Sequence, residues 1–186
     1  MVTTTTLVLG SAQRDTDVDR RVADALGITV VKRRSGGGAV LLVPDEFVWL
    51  DLVIPACDSL WANDIGHAME WVGELWRRAL GELGATSKVA RTSGESTWSR
   101  QVCFAGIGHG EVLQGNRKLV GVSQRRTRAA ARFQSLCHLR WRPELVAALV
   151  AAPRPLASEL VASVAIVAAP ASAVREALLL HLPTSR

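Results

Sequence analysis

Apolar positions along this chain recur with two periods, one typical of helices and one typical of strands. The clearest helical segment is residues 59–83, where apolar residues return every three or four positions. Asp58 or Ser59 is expected to cap its start. Trp61 and Trp76 fall on the apolar face, so we expect them to pack in the core. The pattern predicts a long amphipathic helix that lies across a sheet.

Short apolar and β-branched runs, each bounded by glycine, proline or turn residues, predict strands. Residues 47–54 are nearly all apolar, which is typical of a central strand covered on both faces. Gly115-Asn116 predicts a two-residue hairpin turn. The predicted strands are residues 3–9, 28–32, 39–43, 47–54, 102–107, 110–113, 118–124 and 130–139, and the shorter predicted helices are residues 17–26, 143–151 and 170–182.

These elements predict the α+β class, with a mixed, mostly antiparallel sheet and helices packed on it. We expect a single domain over residues 1–186, without a C-terminal accessory domain. A chain of 186 residues that is 48% hydrophobic and 21% charged can bury a sizeable core. Residues 91–100 are polar and contain glycine, which predicts a mobile loop that could close over a ligand.

The cysteines and the apolar runs bear on the compartment. Cys57, Cys103 and Cys137 are odd in number and widely spaced, and no CxxC pair is present. This argues against a disulfide framework and against a zinc site, so no metal ligands are assigned. The longest uncharged run, residues 160–174, is too short to span a membrane. We therefore expect a cytoplasmic protein without a membrane partner.

The charge pattern is basic and uneven. The formal net charge is +5, and only three of the 22 basic residues are lysines: Lys32, Lys88 and Lys118. An arginine could supply a purely electrostatic role, so a lysine is notable. The arginines between residues 125 and 142 could contact phosphates, but no exposed aromatics interleave with them. This favours a solvated face or a carrier-docking face, and argues against nucleic acid as a partner.

Two polar stretches carry the candidate chemistry. Residues 33–40 read Arg-Arg-Ser-Gly-Gly-Gly-Ala-Val, and residues 118–124 read Lys-Leu-Val-Gly-Val-Ser-Gln. A glycine run alone fits a tight turn, and Lys118 alone fits a solvated turn. Two guanidiniums, a hydroxyl and bare backbone groups together could cradle a carboxylate or a phosphate. The candidate binding residues are Arg33, Arg34, Ser35, Gly36, Gly37, Gly38, Ala39, Gly121, Ser123 and Gln124.

The two stretches, in this order, resemble the lipoate and biotin protein ligase catalytic domain, in its lipoate-ligase and octanoyltransferase branch. That branch carries an Arg-Arg-x-Ser-Gly-Gly-Gly-Ala-Val loop and a Lys-(Ile/Val)-x-Gly-x-Ala-Gln strand. The Gly-x-x-Gln of residues 10–13 is also similar to an early motif of the family. The chain departs from the family at Leu42 and Val43, where His-Asp is usual. The resemblance implies a domain of the biotin-ligase and class II synthetase type.

The resemblance also implies a site. Arg33 and the glycine loop would hold the acyl chain and the activated carboxyl. Lys118 would bind the acyl carbonyl and the phosphate of an acyl-adenylate, which requires ATP and Mg²⁺ as well as lipoate or octanoate. The acceptor would be a lysine of a lipoyl carrier domain, which tends to be acidic. We expect Lys118→Ala to abolish activity and to cost little stability.

Cys103 leaves the reaction open. Transferase members of the family use a cysteine in a similar place as a thioester nucleophile, with an acyl carrier protein as donor. His109 or His138 could assist it, whereas the alternative for Cys103 is a small buried hydrophobe. Cys57 and Cys137 are expected to be structural. Three functions therefore remain: an adenylate-forming ligase, an octanoyltransferase through Cys103, and a non-catalytic or degenerate acyl-binding protein.

Overall fold

The structure, a computed structural model, describes residues 2–183. Met1 and residues 184–186, included in the predicted domain, lie outside the described residues. The first sheet has three strands, with β1 (Thr6–Leu9) between β2 (Thr29–Lys32) and β3 (Val40–Leu42). β1 is parallel to β2 and antiparallel to β3. Helix α1 (Arg20–Ala25) lies in the crossover that a parallel pair requires.

The second sheet has five antiparallel strands. In spatial order they are β4 (Phe47–Pro55), β8 (Ala130–His138), β7 (Arg117–Arg126), β6 (Val112–Gln114) and β5 (Lys88–Val89). The Gly115-Asn116 hairpin is confirmed, since Gln114 pairs with Arg117 and Gly115 has a φ of 62°. The α+β class with a mixed, mostly antiparallel architecture is confirmed, although the strands divide between two sheets.

Helices cover the outer faces of the two sheets. Helix α2 (Ile65–Glu82) packs on the five-stranded sheet, and α5 (Ala171–His181) packs on α2. The fully buried Trp76 donates its indole N–H to Ser135 Oγ on β8 at 2.8 Å. The three-stranded sheet shares a second core with α1, α3 (Pro143–Leu149) and α4 (Ala157–Val161). The third apolar cluster lies between the sheets and contains Val8, Val40, Leu42, Phe104, Leu136 and Val164.

Three predictions about elements are wrong. The long helix begins at Ile65, not Ser59, because Asp64 caps it through His67 N–H at 2.8 Å while Asp58 holds a separate turn through Leu60 N–H. β4 is an edge strand of the described sheet, and one face of its second half is exposed at Asp51, Val53 and Pro55. Residues 102–107 contain a 3-10 turn over Cys103–Ala105 instead of a strand.

Two short elements escaped prediction, strand β5 and helix α4, because both are shorter than the window over which apolar periodicity can be detected. Within residues 2–183, no helix is long and apolar enough to cross a membrane.

Candidate functional site

Arg33 fixes the glycine loop between β2 and β3 from the side opposite the cavity. Its guanidinium donates to the carbonyl oxygens of Gly36 at 2.6 Å, Gly38 at 2.9 Å and Val8 at 3.1 Å. With a further hydrogen bond from its Nε to Ser35 Oγ at 3.1 Å, these bonds fix the loop backbone and use four of the five donors of the guanidinium. Arg33 therefore lies under the loop, and Gly36, Gly37 and Gly38 line a cavity of about 690 Å³ above it.

Close backbone contacts explain the glycines of this loop. A Cβ on Gly10 would lie 1.8 Å from the carbonyl oxygen of Gly37, and a Cβ on Gly38 would lie 2.7 Å from the backbone nitrogen of Cys103. Gly37 also has a φ of 93°, in the left-handed region that side chains disfavour. The sequence thus brings the end of β1, the loop and the Cys103 turn into direct contact.

The two polar residues next to Arg33 differ in position. Ser35 is buried, donates to Gln134 Oε1 at 3.1 Å and accepts from Ser123 Oγ at 3.1 Å, so it ties the loop to the five-stranded sheet. Arg34 is exposed and lies outside the cavity lining. Ala39 is buried beneath the loop. Of the predicted loop residues, only the three glycines line the cavity.

Cys103 connects the loop to Lys118. Its N–H donates to Ala39 O at 3.0 Å, and its carbonyl oxygen accepts from Lys118 Nζ at 2.6 Å. The partly exposed Cys103 side chain lines the cavity. Burial lowers the pKa of the Arg33 guanidinium, and the neighbouring Cys103 side chain partly offsets that shift. The thiol therefore lies beside a cation, within the same cavity as the glycines.

Lys118 is almost wholly buried, with 2% of its surface exposed. Its Nζ lies 2.7 Å and 2.9 Å from the two carboxylate oxygens of Glu111. Its backbone N–H donates to Ser163 O at 2.8 Å, and its carbonyl accepts from Ala165 N–H at 2.9 Å, so both sides of the backbone are fixed. A bulge at this position of β7 leaves Leu119 without a partner on β6.

The structure argues against the expectation that Lys118→Ala costs little stability, and we expect this substitution to be destabilising. Removing the lysine would leave the Glu111 carboxylate, itself only 3% exposed, without its cation. An unpaired buried charge is strongly destabilising.

Glu111 is the site residue that sequence reasoning missed. Besides Lys118, it accepts hydrogen bonds from Gly108 N–H at 2.5 Å and Val122 N–H at 3.3 Å. The turn that carries it fits closely against α2, because a Cβ on Gly73 would lie 2.2 Å from the carbonyl oxygen of Gly110. The signal that could have found it is a single acidic residue directly before the apolar run of β6.

The remaining strand residues lie beside the lysine. Ser123 and Gln124 line the cavity, and Gln124 Nε2 is buried without a hydrogen-bond partner in the described part of the chain. Gly121 lies outside the lining; a Cβ there would approach the Phe104 ring to 3.1 Å, and that ring lies 5.3 Å from Lys118 Nζ.

The polar loop over residues 91–100 forms one wall of the cavity. Ser93, Gly94, Glu95, Ser99 and Arg100 are among its lining residues. Gly94 forms two backbone hydrogen bonds of 2.8 Å with Ile107. Trp98 donates its indole N–H to Glu159 on α4 at 3.0 Å, and this hydrogen bond lowers the pKa of Glu159. The loop therefore lies at the cavity, as predicted; its mobility stays a prediction.

The other cysteines and the histidines lie apart from the cavity. Cys137 is buried in the core, and burial raises its pKa to about 12, whereas Cys57 is exposed in the turn after β4. His138 packs between Phe104 and Trp141, and burial lowers its pKa to about 3. His109 Nε2 lies 3.0 Å from Glu70 Oε1 on α2. Neither histidine lines the cavity with Cys103.

Comparisons with known proteins were made on sequence and on fold. The family model for the lipoyl protein ligase A/B catalytic domain matches residues 1–178. No curated protein sequence matches the chain significantly.

Three solved structures illustrate the shared fold. A T. acidophilum protein with bound lipoic acid is 20% identical, with a TM-score of 0.74. The match covers 96% of this chain and 67% of the T. acidophilum chain. A bipartite lipoate protein ligase of Thermoplasma acidophilum, described with its E2 lipoyl domain, is 18% identical with a TM-score of 0.76, covering 96% of this chain and 66% of its own. A lipoate-protein ligase A bound with ATP is 20% identical with a TM-score of 0.74, covering 96% and 67%. The chain thus spans about two thirds of each of these proteins, and the likeness is one of fold.

Proposed function

The chain belongs to the lipoyl protein ligase A/B catalytic domain family, and we propose that it attaches lipoate or octanoate to a lysine of a lipoyl carrier domain through an acyl-adenylate. One observation carries this proposal: the glycine loop and the buried Lys118 line the same cavity. The loop offers bare backbone, and the positively charged Lys118 Nζ, whose three donors go to Glu111 and the Cys103 carbonyl, would transfer one of them to a substrate oxygen. A fixed charge of this kind stabilises negative charge that develops on a reacting oxygen.

The cavity fits the expected substrates in size and in polarity. A volume of about 690 Å³ lies within the range of about 300–1,000 Å³ that is usual for small-molecule sites. Arg100 adds a donor to its wall. In relatives of the same fold, lipoic acid and ATP are bound, which supports both as substrates here.

Magnesium would enter with the nucleotide. Among the described residues, no group of three or more His, Cys, Asp or Glu side chains could hold a metal ion by itself. Mg²⁺ commonly uses one or two carboxylates in addition to substrate phosphates. Asp17 and Glu95 are the carboxylates of the cavity lining that remain free of Lys118, so they are the candidates to face a phosphate-bound Mg²⁺.

The proposed reaction has two steps, the first at the α-phosphorus of ATP and the second at the carbonyl carbon of the acid. First, the carboxylate oxygen of the fatty acid bonds to the α-phosphorus of ATP, and pyrophosphate leaves. Then the carrier lysine amine bonds to the carbonyl carbon, AMP leaves with the bonding electron pair, and the amine loses a proton. Lys118 contributes by stabilising the charge on the carbonyl and phosphate oxygens, and Glu111 by holding the lysine in place.

Pyrophosphate exchange with ATP and octanoate or lipoate tests the first step. We expect exchange with the wild-type chain and none with Glu111→Gln/Lys118→Met, in which both charges of the buried pair are removed together. The matched control is Lys88→Met, which removes an exposed lysine of β5 and should leave exchange unchanged. A folded wild-type chain that shows no exchange with either acid would contradict the ligase proposal.

Cys103 supports a second candidate, because its side chain lines the same cavity beside Arg33. In this reaction the Cys103 thiolate would attack an octanoyl thioester of an acyl carrier protein, and the carrier thiol would leave. The carrier-domain lysine would then attack the new thioester and release Cys103. An octanoyl adduct seen by intact-mass measurement, and lost in Cys103→Ser, would favour this route over adenylation.

A further inference from the structure

An exposed basic surface lies at the end of the five-stranded sheet, next to the glycine loop. Arg125 on β7 pairs in register with Arg132 on β8, so both side chains project from the same face of the sheet. One step closer to the loop, Ser123 pairs with Gln134, and both bond to Ser35. Successive pairs on one face are two residues apart. The arginine pair therefore continues the surface on which the loop rests.

Four exposed arginines make up this surface, which we call the basic strip: Arg34, Arg125, Arg128 and Arg132. Arg132 is paired with Asp51 on β4. Within residues 2–183, the other three form no ion pair with a carboxylate. Like charges directly opposite each other across strands are destabilising. The unpaired arginines therefore keep positive potential at the surface, which suits an anionic partner.

The strip lies beside one end of the cavity, where a macromolecular substrate would contact it. Arg34 is followed by Ser35 and the cavity-lining glycines, and Arg125 follows the cavity-lining Ser123 and Gln124. A macromolecule that inserts a side chain into the cavity at this end would bring its own surface against the strip. Val53, 59% exposed and in register with Arg132, adds an apolar contact to the strip.

We propose that the basic strip is the docking surface for an acidic carrier domain whose target lysine enters the cavity between the glycine loop and β7. This inference rests on the proposed function, since it assumes a protein acceptor. Exposed charges at the rim of an interface act mainly on the association rate and on its salt dependence. The strip should therefore govern recognition of the carrier and leave the use of the small acid unchanged.

The test compares two double variants with the same loss of charge. Arg125→Gln/Arg128→Gln removes two unpaired charges of the strip. Arg21→Gln/Arg175→Gln removes two exposed arginines on α1 and α5, which lie outside the strip. Each variant is titrated with an unlipoylated E2 lipoyl domain, and pyrophosphate exchange with octanoate is measured in parallel.

We expect the strip variant to weaken binding of the lipoyl domain about fivefold at about 0.1 M salt and to match wild type near 1 M, where the Debye length falls from about 10 Å to about 3 Å. The control variant should bind as wild type does, and exchange should be unchanged in both. Equal weakening in both variants, or none in either, would overturn the assignment. So would duplex DNA that binds more tightly than the lipoyl domain and depends on the same arginines.

Failure of the proposed function is separable from failure of the strip. A wild-type chain without pyrophosphate exchange contradicts adenylation, yet binding of the lipoyl domain still tests the docking surface. The unfolding midpoint of the control variant should equal that of wild type, and that of the strip variant should be no lower, because all four side chains are exposed and Arg125→Gln removes a like-charge pair.

Discussion

The buried pair of Lys118 and Glu111 gives the sharpest test of how the site is held. Both side chains are at most 3% exposed, and their charged atoms are 2.7 Å apart. At an effective dielectric constant of about 20, two unit charges at that distance attract by about 6 kcal/mol. Desolvation costs several kcal/mol for each ion, so the intact pair contributes little net stability. Removing one partner keeps the desolvation penalty and loses the attraction.

We therefore expect Glu111→Gln to lower the free energy of unfolding by about 3 kcal/mol. In this variant the side-chain amide oxygen can still accept a hydrogen bond from Gly108 or Val122 N–H, whereas the Lys118 ammonium loses its counter-charge. For a domain of this size the loss corresponds to a melting temperature lower by about 10 °C. The measurement is urea unfolding followed by circular dichroism, with thermal unfolding as a second reading.

Two further variants make the test decisive. Glu74→Gln removes a carboxylate of a half-exposed pair on α2 and should cost less than about 1 kcal/mol. Glu111→Gln/Lys118→Met removes both buried charges and should recover most of the stability while remaining inactive. The reasoning is refuted if Glu111→Gln is as stable as Glu74→Gln, or if the double variant is no more stable than Glu111→Gln alone.

Two other predictions follow from the structure. Gly10→Ala should abolish activity and destabilise the fold, because the added Cβ would lie 1.8 Å from the Gly37 carbonyl oxygen. Gly81→Ala, in open space on α2, should instead raise the free energy of unfolding by about 0.5–1 kcal/mol. Unfolding midpoints and pyrophosphate-exchange assays compare the two variants. In the fold, burial lowers the pKa of His138 to about 3, so the unfolded chain binds more protons in acid. The free energy of unfolding should therefore fall as the pH drops below about 6.5. A His138→Phe variant should lose that part of the pH dependence, and an unchanged pH dependence would contradict the prediction.

Sequence reasoning succeeded where local pattern and packing agree. The apolar period placed the body of α2 and the burial of Trp76, because one helix face has a single way to meet a sheet. The hairpin at Gly115-Asn116 followed from the need for a positive φ. The start of α2 was misplaced because both Asp58 and Asp64 are suitable caps, and local sequence does not rank them.

The candidate site was predicted in part. The glycine loop, Cys103 and Lys118 were singled out from their residue types, and the structure brings all three to one cavity. Their roles there stay predictions. Arg33 looked like a ligand contact, but its hydrogen bonds go to the loop carbonyls, and residue type alone does not say which way a guanidinium turns.

By itself, then, the sequence determined the fold class, the family and the two stretches that meet at the cavity, because periodicity and motif order are local properties of the chain. Only the tertiary structure decided that β4 is an edge strand and that Glu111 is the partner of Lys118. It also showed that the basic strip adjoins the glycine loop. The physical reason is that strand order, burial and charge pairing depend on which distant segments become neighbours, and spacing along the chain does not contain that information.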